Sequence, residues 1–130
     1  MLEFKKAKGE QLSEVETIIS TYTPNAVIQG RYYIALENGA IKGCVGLIRR
    51  AWFMTEIKHL YVKEQYRGQG IGTFLVSKAL KRIKSPLVCC TVKADNLASL
   101  RVFQHFRFTP RERFVNQDTG NRVMLLTRKI

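Results

Sequence analysis

A glycine-rich stretch, Gln65-Tyr66-Arg67-Gly68-Gln69-Gly70-Ile71-Gly72-Thr73, lies between two segments of different periodicity. Before it, Glu56-Ile57-Lys58-His59-Leu60-Tyr61-Val62 is apolar and β-prone enough to be a strand. After it, Ile71, Leu75, Val76, Ala79, Leu80 and Ile83 recur at helical spacing in a segment that runs to Lys84. Glycine brings no Cβ to keep an anion from the backbone, and a helix N-terminus adds unpaired N–H groups and a favourable dipole. The expected structure is therefore a strand, a pyrophosphate cradle and a helix. The bland alternative is a glycine-rich turn that only packs a helix on a sheet.

Two rival phosphate loops are excluded by the residues themselves. No Gly-x-x-x-x-Gly-Lys-(Ser/Thr) run exists, and the dinucleotide pattern Gly-x-Gly-x-x-Gly fails because position 73 is Thr. Arg67-x-x-Gly70-x-Gly72 instead resembles the (Gln/Arg)-x-x-Gly-x-(Gly/Ala) signature of the GNAT acetyltransferases. Leu60-Tyr61-Val62, Phe74-Leu75 and the later Asp95-Asn96-Leu97-Ala98, through Phe103 to Phe108, are similar to that family too. The resemblance is strong from about residue 54 to 108 and weak before residue 30.

Several expectations are implied by that resemblance. The fold is a single-domain α/β GNAT fold over residues 1–130, a mixed, mostly antiparallel twisted sheet of about seven strands. Strands four and five run parallel and splay apart, with helices flanking the sheet. Acetyl-CoA is the acetyl donor. Its pyrophosphate rests on the amides of Arg67, Gly68, Gln69, Gly70, Ile71, Gly72 and Thr73, and its pantetheine arm lies along the backbone of Leu60, Tyr61 and Val62. Asn96 and Phe103 also fall at the cofactor. Histone acetyltransferases of the superfamily place a glutamate base eleven residues before the signature, which here is Glu56, followed by Ile57 as in those enzymes. The alternative for Glu56 is a strand carboxylate paired with Lys58, Arg49 or Arg50. Where many members carry a tyrosine that protonates the leaving thiolate, this chain has Phe103, and Arg107 stands where Gly is usual.

Composition narrows the class. With 130 residues and 45% hydrophobic content the chain is long enough for a real core. No apolar run approaches the roughly 18 residues of a membrane span, and Met1-Leu2-Glu3-Phe4-Lys5 is not a signal peptide. Cys44, Cys89 and Cys90 lack metal-ligand spacing, so no metal is expected; buried reduced thiols suit a cytoplasmic protein. Lys and Arg outnumber Asp and Glu by 22 to 10, a net charge of +12. That excess favours an anionic cofactor or a nucleic acid, or is a basic surface of no special purpose. It also argues against polycationic acceptors, unless Glu10, Glu14 and Glu16 serve them.

Along the chain, Leu2 to Lys5 alternates as a strand and Gly9 to Tyr22 forms an amphipathic helix, with Ser13 and Glu16 as a capping box. Thr23 to Gly30 has room for about two helical turns, leaving the acceptor site open there. Arg31–Leu36 and Ala40–Arg49 form a hairpin about Asn38-Gly39, with a bulge or close approach at Gly43 and Gly46. A fourth strand spans Met54 to Val62, and strand alternation puts His59 opposite Glu56 as a structural residue. Leu87–Val92, apolar on both faces, reads as a central strand beside parallel neighbours. Asp95 or Asn96 caps the next helix, and a hairpin about residues 117–121 closes the chain.

The expected function is an acetyl-CoA-dependent N-acetyltransferase acting on a primary amine, with a small-molecule or protein acceptor and a homodimer as one possible assembly. Two alternatives stay open: a GNAT-fold acyl-CoA sensor without catalysis, prompted by Phe103, and a nucleic-acid-associated protein, prompted by the charge.

Overall fold

The computed structural model describes residues 1–130. Its strands are β1 (Glu3–Lys6), β2 (Arg31–Glu37), β3 (Ala40–Ala51), β4 (Met54–Val62), β5 (Leu87–Lys93), β6 (Thr109–Val115) and β7 (Arg122–Lys129). Its helices are α1 (Glu10–Tyr22), α2 (Ile71–Leu80) and α3 (Leu97–His105). The strands form one sheet in the order β1-β2-β3-β4-β5-β7-β6, antiparallel throughout except for the β4–β5 pair. Asn38 and Gly39, at φ 53° and 78°, make the tight turn between β2 and β3.

Alternation divides the sheet between two cores. Tyr33, Ala35, Val45, Leu47, Ile57, Val88 and Cys90 face α2 and α3, whose Leu75, Val76, Leu100 and Phe103 complete the larger cluster. Tyr32, Ile34, Ile41 and Cys44 face the other way, onto Val15, Ile18 and Ile19 of α1. Helix α1 packs over β2 and β4. Beyond it, the same face across β5, β7 and β6 carries no helix, and Thr91 is exposed there. No helix is long and apolar enough to cross a membrane.

Several expectations need correction. Gly9, not Ser13, is the N-cap of α1, because the apolar stripe already begins at Leu12; Ser13 lies inside the helix, its carbonyl accepting from the Thr17 hydroxyl. The helix after the loop stops at Leu80 rather than Lys84. Arg82 and Ile83 donate to Ala79 and Leu80, three residues back, so a tighter turn delivers Ile83 to the core. Only one neighbour of β5 is parallel; β7 on its other side is antiparallel. Its double-faced apolar pattern arises instead because Cys89 is buried without a helix above it. Between Tyr22 and Arg31 there is no second helix.

The turn after α3 keeps a left-handed conformation without glycine: Arg107 sits at φ 66°. For a residue with a Cβ that region costs about 1–2 kcal/mol, partly offset by the greater freedom glycine has when unfolded. Arg107→Gly is therefore expected to stabilise the protein by about 0.5–1 kcal/mol, read as a higher Tm in a thermal melt. A lower Tm would mean that the arginine side chain holds the turn.

Candidate active site

The loop after β4 is built to present amides. Residues Glu64–Tyr66 form a short 3-10 turn, closed by Arg67 donating to the Glu64 carbonyl. Gly68 and Gly70 follow with φ 78° and 79°, and a Cβ at either position would meet nothing within 4 Å. Gly70 is the N-cap of α2 and offers no side chain to it. The first backbone bond of the helix is Phe74 to the Gly70 carbonyl, so the six consecutive amides from Gly68 to Thr73 have no acceptor within the protein. Arg67 is turned away from them: its Nε donates to the Val62 carbonyl at 3.2 Å and its guanidinium lies over the Tyr22 ring. Six free amides at a positive helix end are an arrangement that suits an anion.

The second part of the site is a split in the sheet. Parallel pairing of β4 with β5 covers only Met54, Thr55 and Glu56, opposite Leu87, Val88 and Cys89. From Ile57 onward the β5-facing backbone of β4 has no strand partner. Six residues at about 3.3 Å each set the glycine loop about 20 Å from the point of divergence. Glu56 occupies that point.

The Glu56 side chain is 13% exposed, and its Oε1 accepts from Arg50 Nε at 2.8 Å. The arginine pairing foreseen as the alternative role thus exists, with Arg50 as the partner. It leaves Oε2 without a protein donor. Cys89, beside Glu56 in the ladder, is pushed up to about 11 by burial first and the Glu56 charge second. Burial alone accounts for the rise of Cys44 to about 12. All three thiols are free and buried.

His59 is not on the face that alternation predicts. It takes φ 55°, and the β3–β4 register slips between Cys44 and Gly46, placing a bulge in β4. The bulge returns His59 to the face of Glu56, where its Nδ1 lies 2.8 Å from the Tyr32 hydroxyl and its ring stacks on Tyr32 and Tyr61. Tyr32 lies across Gly46, where a Cβ would come within 2.6 Å of its ring. That close approach is the expectation raised by a glycine inside β3. Tyr32 and His59 thus share the face of Glu56, a placement the sequence left unread, although Gly46 was the available signal.

Burial first, then the Lys58 charge, lowers His59 to about 4, against the opposing pull of Glu56. The imidazole is neutral at pH 7. In the unfolded chain it titrates near 6.5, so between these values the unfolded state binds more protons. The stability contribution is present above pH 6.5 and lost as pH falls towards 4. His59→Asn, which suits positive φ, is expected to flatten the fall of Tm between pH 6.5 and 4.5. The difference amounts to about 1–2 kcal/mol after allowance for the partly exposed ring. Parallel pH–Tm curves would show that His59 is not the group responsible.

The remaining candidates divide between backbone and packing. Leu60 and Val62 pack on the larger core, while the Tyr61 hydroxyl meets that of Thr23 and its ring lies 5.0 Å from Tyr22. The Asn96 side chain caps α3, accepting from the Ser99 amide at 3.2 Å. Phe103 is 3% exposed, edge-on to Phe108 in the core. Gln69 is exposed in the loop.

A parallel strand pair that splays apart, with free amides at a helix start beyond it, defines an α/β domain with an anion-suited cleft in its sheet. The model of the acetyltransferase (GNAT) family matches residues 5–108, and the chain belongs to that family. A GNAT family acetyltransferase from Elizabethkingia anophelis, solved with acetyl-CoA bound, superposes with a TM-score of 0.78 at 19% identity, covering 99% of this chain and 98% of that one. IAA acetyltransferase from Bacillus cereus gives 0.84 at 16% identity over 100% of both chains. Arabidopsis thaliana NAA60 in complex with acetyl-CoA gives 0.82 at 16% identity, over 100% and 99%. At these identities the likeness is one of fold. No curated protein matches the sequence.

Proposed function

We propose that this chain transfers the acetyl group of acetyl-CoA to a primary amine by direct attack, with Glu56 as the base. The observation that carries the reading is the run of six unpaired amides, Gly68 to Thr73, at the mouth of the β4–β5 split. They suit the pyrophosphate of coenzyme A: the donors have no acceptor in the protein, no Cβ obstructs Gly68 or Gly70, and the helix dipole favours negative charge. The solved neighbours bound to acetyl-CoA support the same donor.

When bound, acetyl-CoA supplies a thioester carbonyl; the amine nitrogen bonds to its carbon, the C–S bond breaks and coenzyme A departs. The chain's own residues then have three tasks. The loop amides hold the anion, and the β4 backbone beyond Glu56, free of a strand partner on that side, would line the arm. Glu56 takes the amine's proton through Oε2, while Arg50 on Oε1 fixes the carboxylate in place. A free amine near pKa 10.4 is almost wholly protonated at pH 7, so a fixed base increases the reactive fraction. Phe103 cannot donate a proton, and a thiol near pKa 8.5 leaves with help from solvent. The test is release of free coenzyme A from acetyl-CoA against a panel of amines. Release that depends on the amine supports transfer; binding without release by any amine supports the sensor instead.

A further inference from the structure

The helix-free face beside Glu56 holds two arginines whose anion-binding edges are unused. Arg50 donates its Nε to Glu56, and Arg111 donates its Nε to the Thr127 hydroxyl at 2.8 Å. Neither has a protein acceptor on its Nη groups, and Arg111 lies in no ion pair. The register joins the two: Glu56 pairs with Cys89, Cys89 with Thr127, and Thr127 with Thr109, two residues before Arg111. Adjacent strands lie about 4.8 Å apart, so Glu56 and Thr127 are about 10 Å apart at the backbone. A bulge between Pro110 and Glu112 is what swings Arg111 inwards over Thr127.

An arginine held by Nε with its Nη edge free is preset for a two-pronged bond to a carboxylate or phosphate. Besides Glu56, the carboxylate at this end of the sheet is Glu112, paired in register with Leu125 and not bonded to Arg111. Lys93 and Lys129 add positive charge at either end of the β5–β7 ladder. The face attracts anions and repels a second ammonium.

We infer that the acceptor carries an oxyanion, carboxylate or phosphate, close to its amine, with the amine at Glu56 and the oxyanion between Arg50 and Arg111. This rests on the proposal that Glu56, on this face, is the base that takes the acceptor amine's proton. It assigns Arg111 as a specificity residue and amino-carboxylates or amino-phosphates as the substrate class.

The test compares matched amines: amino acids against their amides, and aminoethyl phosphate against ethanolamine. Coenzyme A release gives kcat and KM, and calorimetry in the presence of coenzyme A gives binding. The anionic member of each pair is expected to have the larger kcat/KM by about 10–100-fold, although the amides carry more free amine at neutral pH. Preference for the amino acid alone assigns the oxyanion to a carboxylate, and for aminoethyl phosphate alone to a phosphate. Arg111→Ala should collapse the preference chiefly through KM, and Arg111→Lys should restore part of it. Equal kcat/KM within pairs, or a preference that survives Arg111→Ala, overturns the inference while leaving the transferase reading intact. If no amine releases coenzyme A, the transferase reading fails. Selective binding of the anionic members, lost in Arg111→Ala, then still supports this one, and equal binding overturns it.

Discussion

Glu56→Gln is expected to lower acetyl transfer by about 10²–10⁴-fold, the usual contribution of a general base, while acetyl-CoA affinity holds. Glutamine keeps the shape of the side chain and can still accept from Arg50 Nε, so the arginine need not move. What is lost is the basic oxygen. Raising the pH should recover part of the rate, because more of the acceptor amine is already neutral. The competing role is the ion pair itself. Arg50 is 38% exposed and Glu56 13%, a setting in which a single pair contributes modestly to stability. If the pair is the whole role, Tm falls slightly and turnover per folded molecule is unchanged at every pH. A pH series of coenzyme A release for both proteins separates the two outcomes, and equal rates throughout remove Glu56 from the mechanism.

Gly70→Asp is expected to abolish acetyl-CoA binding. In the parent protein, acetyl-CoA at 100 times its dissociation constant should stabilise the fold by about 2.7 kcal/mol, a Tm rise of several degrees. The substitution places a carboxylate beside six amides that have no other acceptor. It also strains a backbone at φ 79°. Gly70→Asn separates these effects: asparagine has the same size, no charge and a better tolerance of positive φ. The asparagine variant should keep part of the thermal shift and the aspartate variant none. A parent protein that millimolar acetyl-CoA leaves unshifted would falsify the cradle.

Much of this chain is legible without coordinates, where local chemistry decides conformation. Asn38-Gly39 makes its tight turn because both residues tolerate positive φ. The loop from Gly68 to Thr73 is open because its glycines bring no side chain and Gly70 starts a helix it cannot cap. The division of β2 between two cores follows from period-two alternation. Glu56 was nameable by its spacing from Arg67, yet spacing carries no information about which of three nearby cations would meet it.

Contacts between distant segments decided the rest. A bulge in β4 moves His59 onto the face of Glu56, and strand alternation cannot foresee a register slip that depends on β3 and on Tyr32 lying across Gly46. Asn96 is spent on its own helix cap, a role that composition alone left shared with Asp95. Arg111 reads in sequence as one more charge on a polar strand; the pairing of β6 with β7, and of β7 with β5, places it three strands from Glu56, bonded to Thr127 on the second. The sequence by itself determined the open glycine loop and its strand–helix frame, because backbone conformation there depends on a few adjacent residues. Tertiary structure alone decided which charges face one another across the split sheet, because strand order brings together residues 50, 56, 89, 111 and 127 from five separate strands.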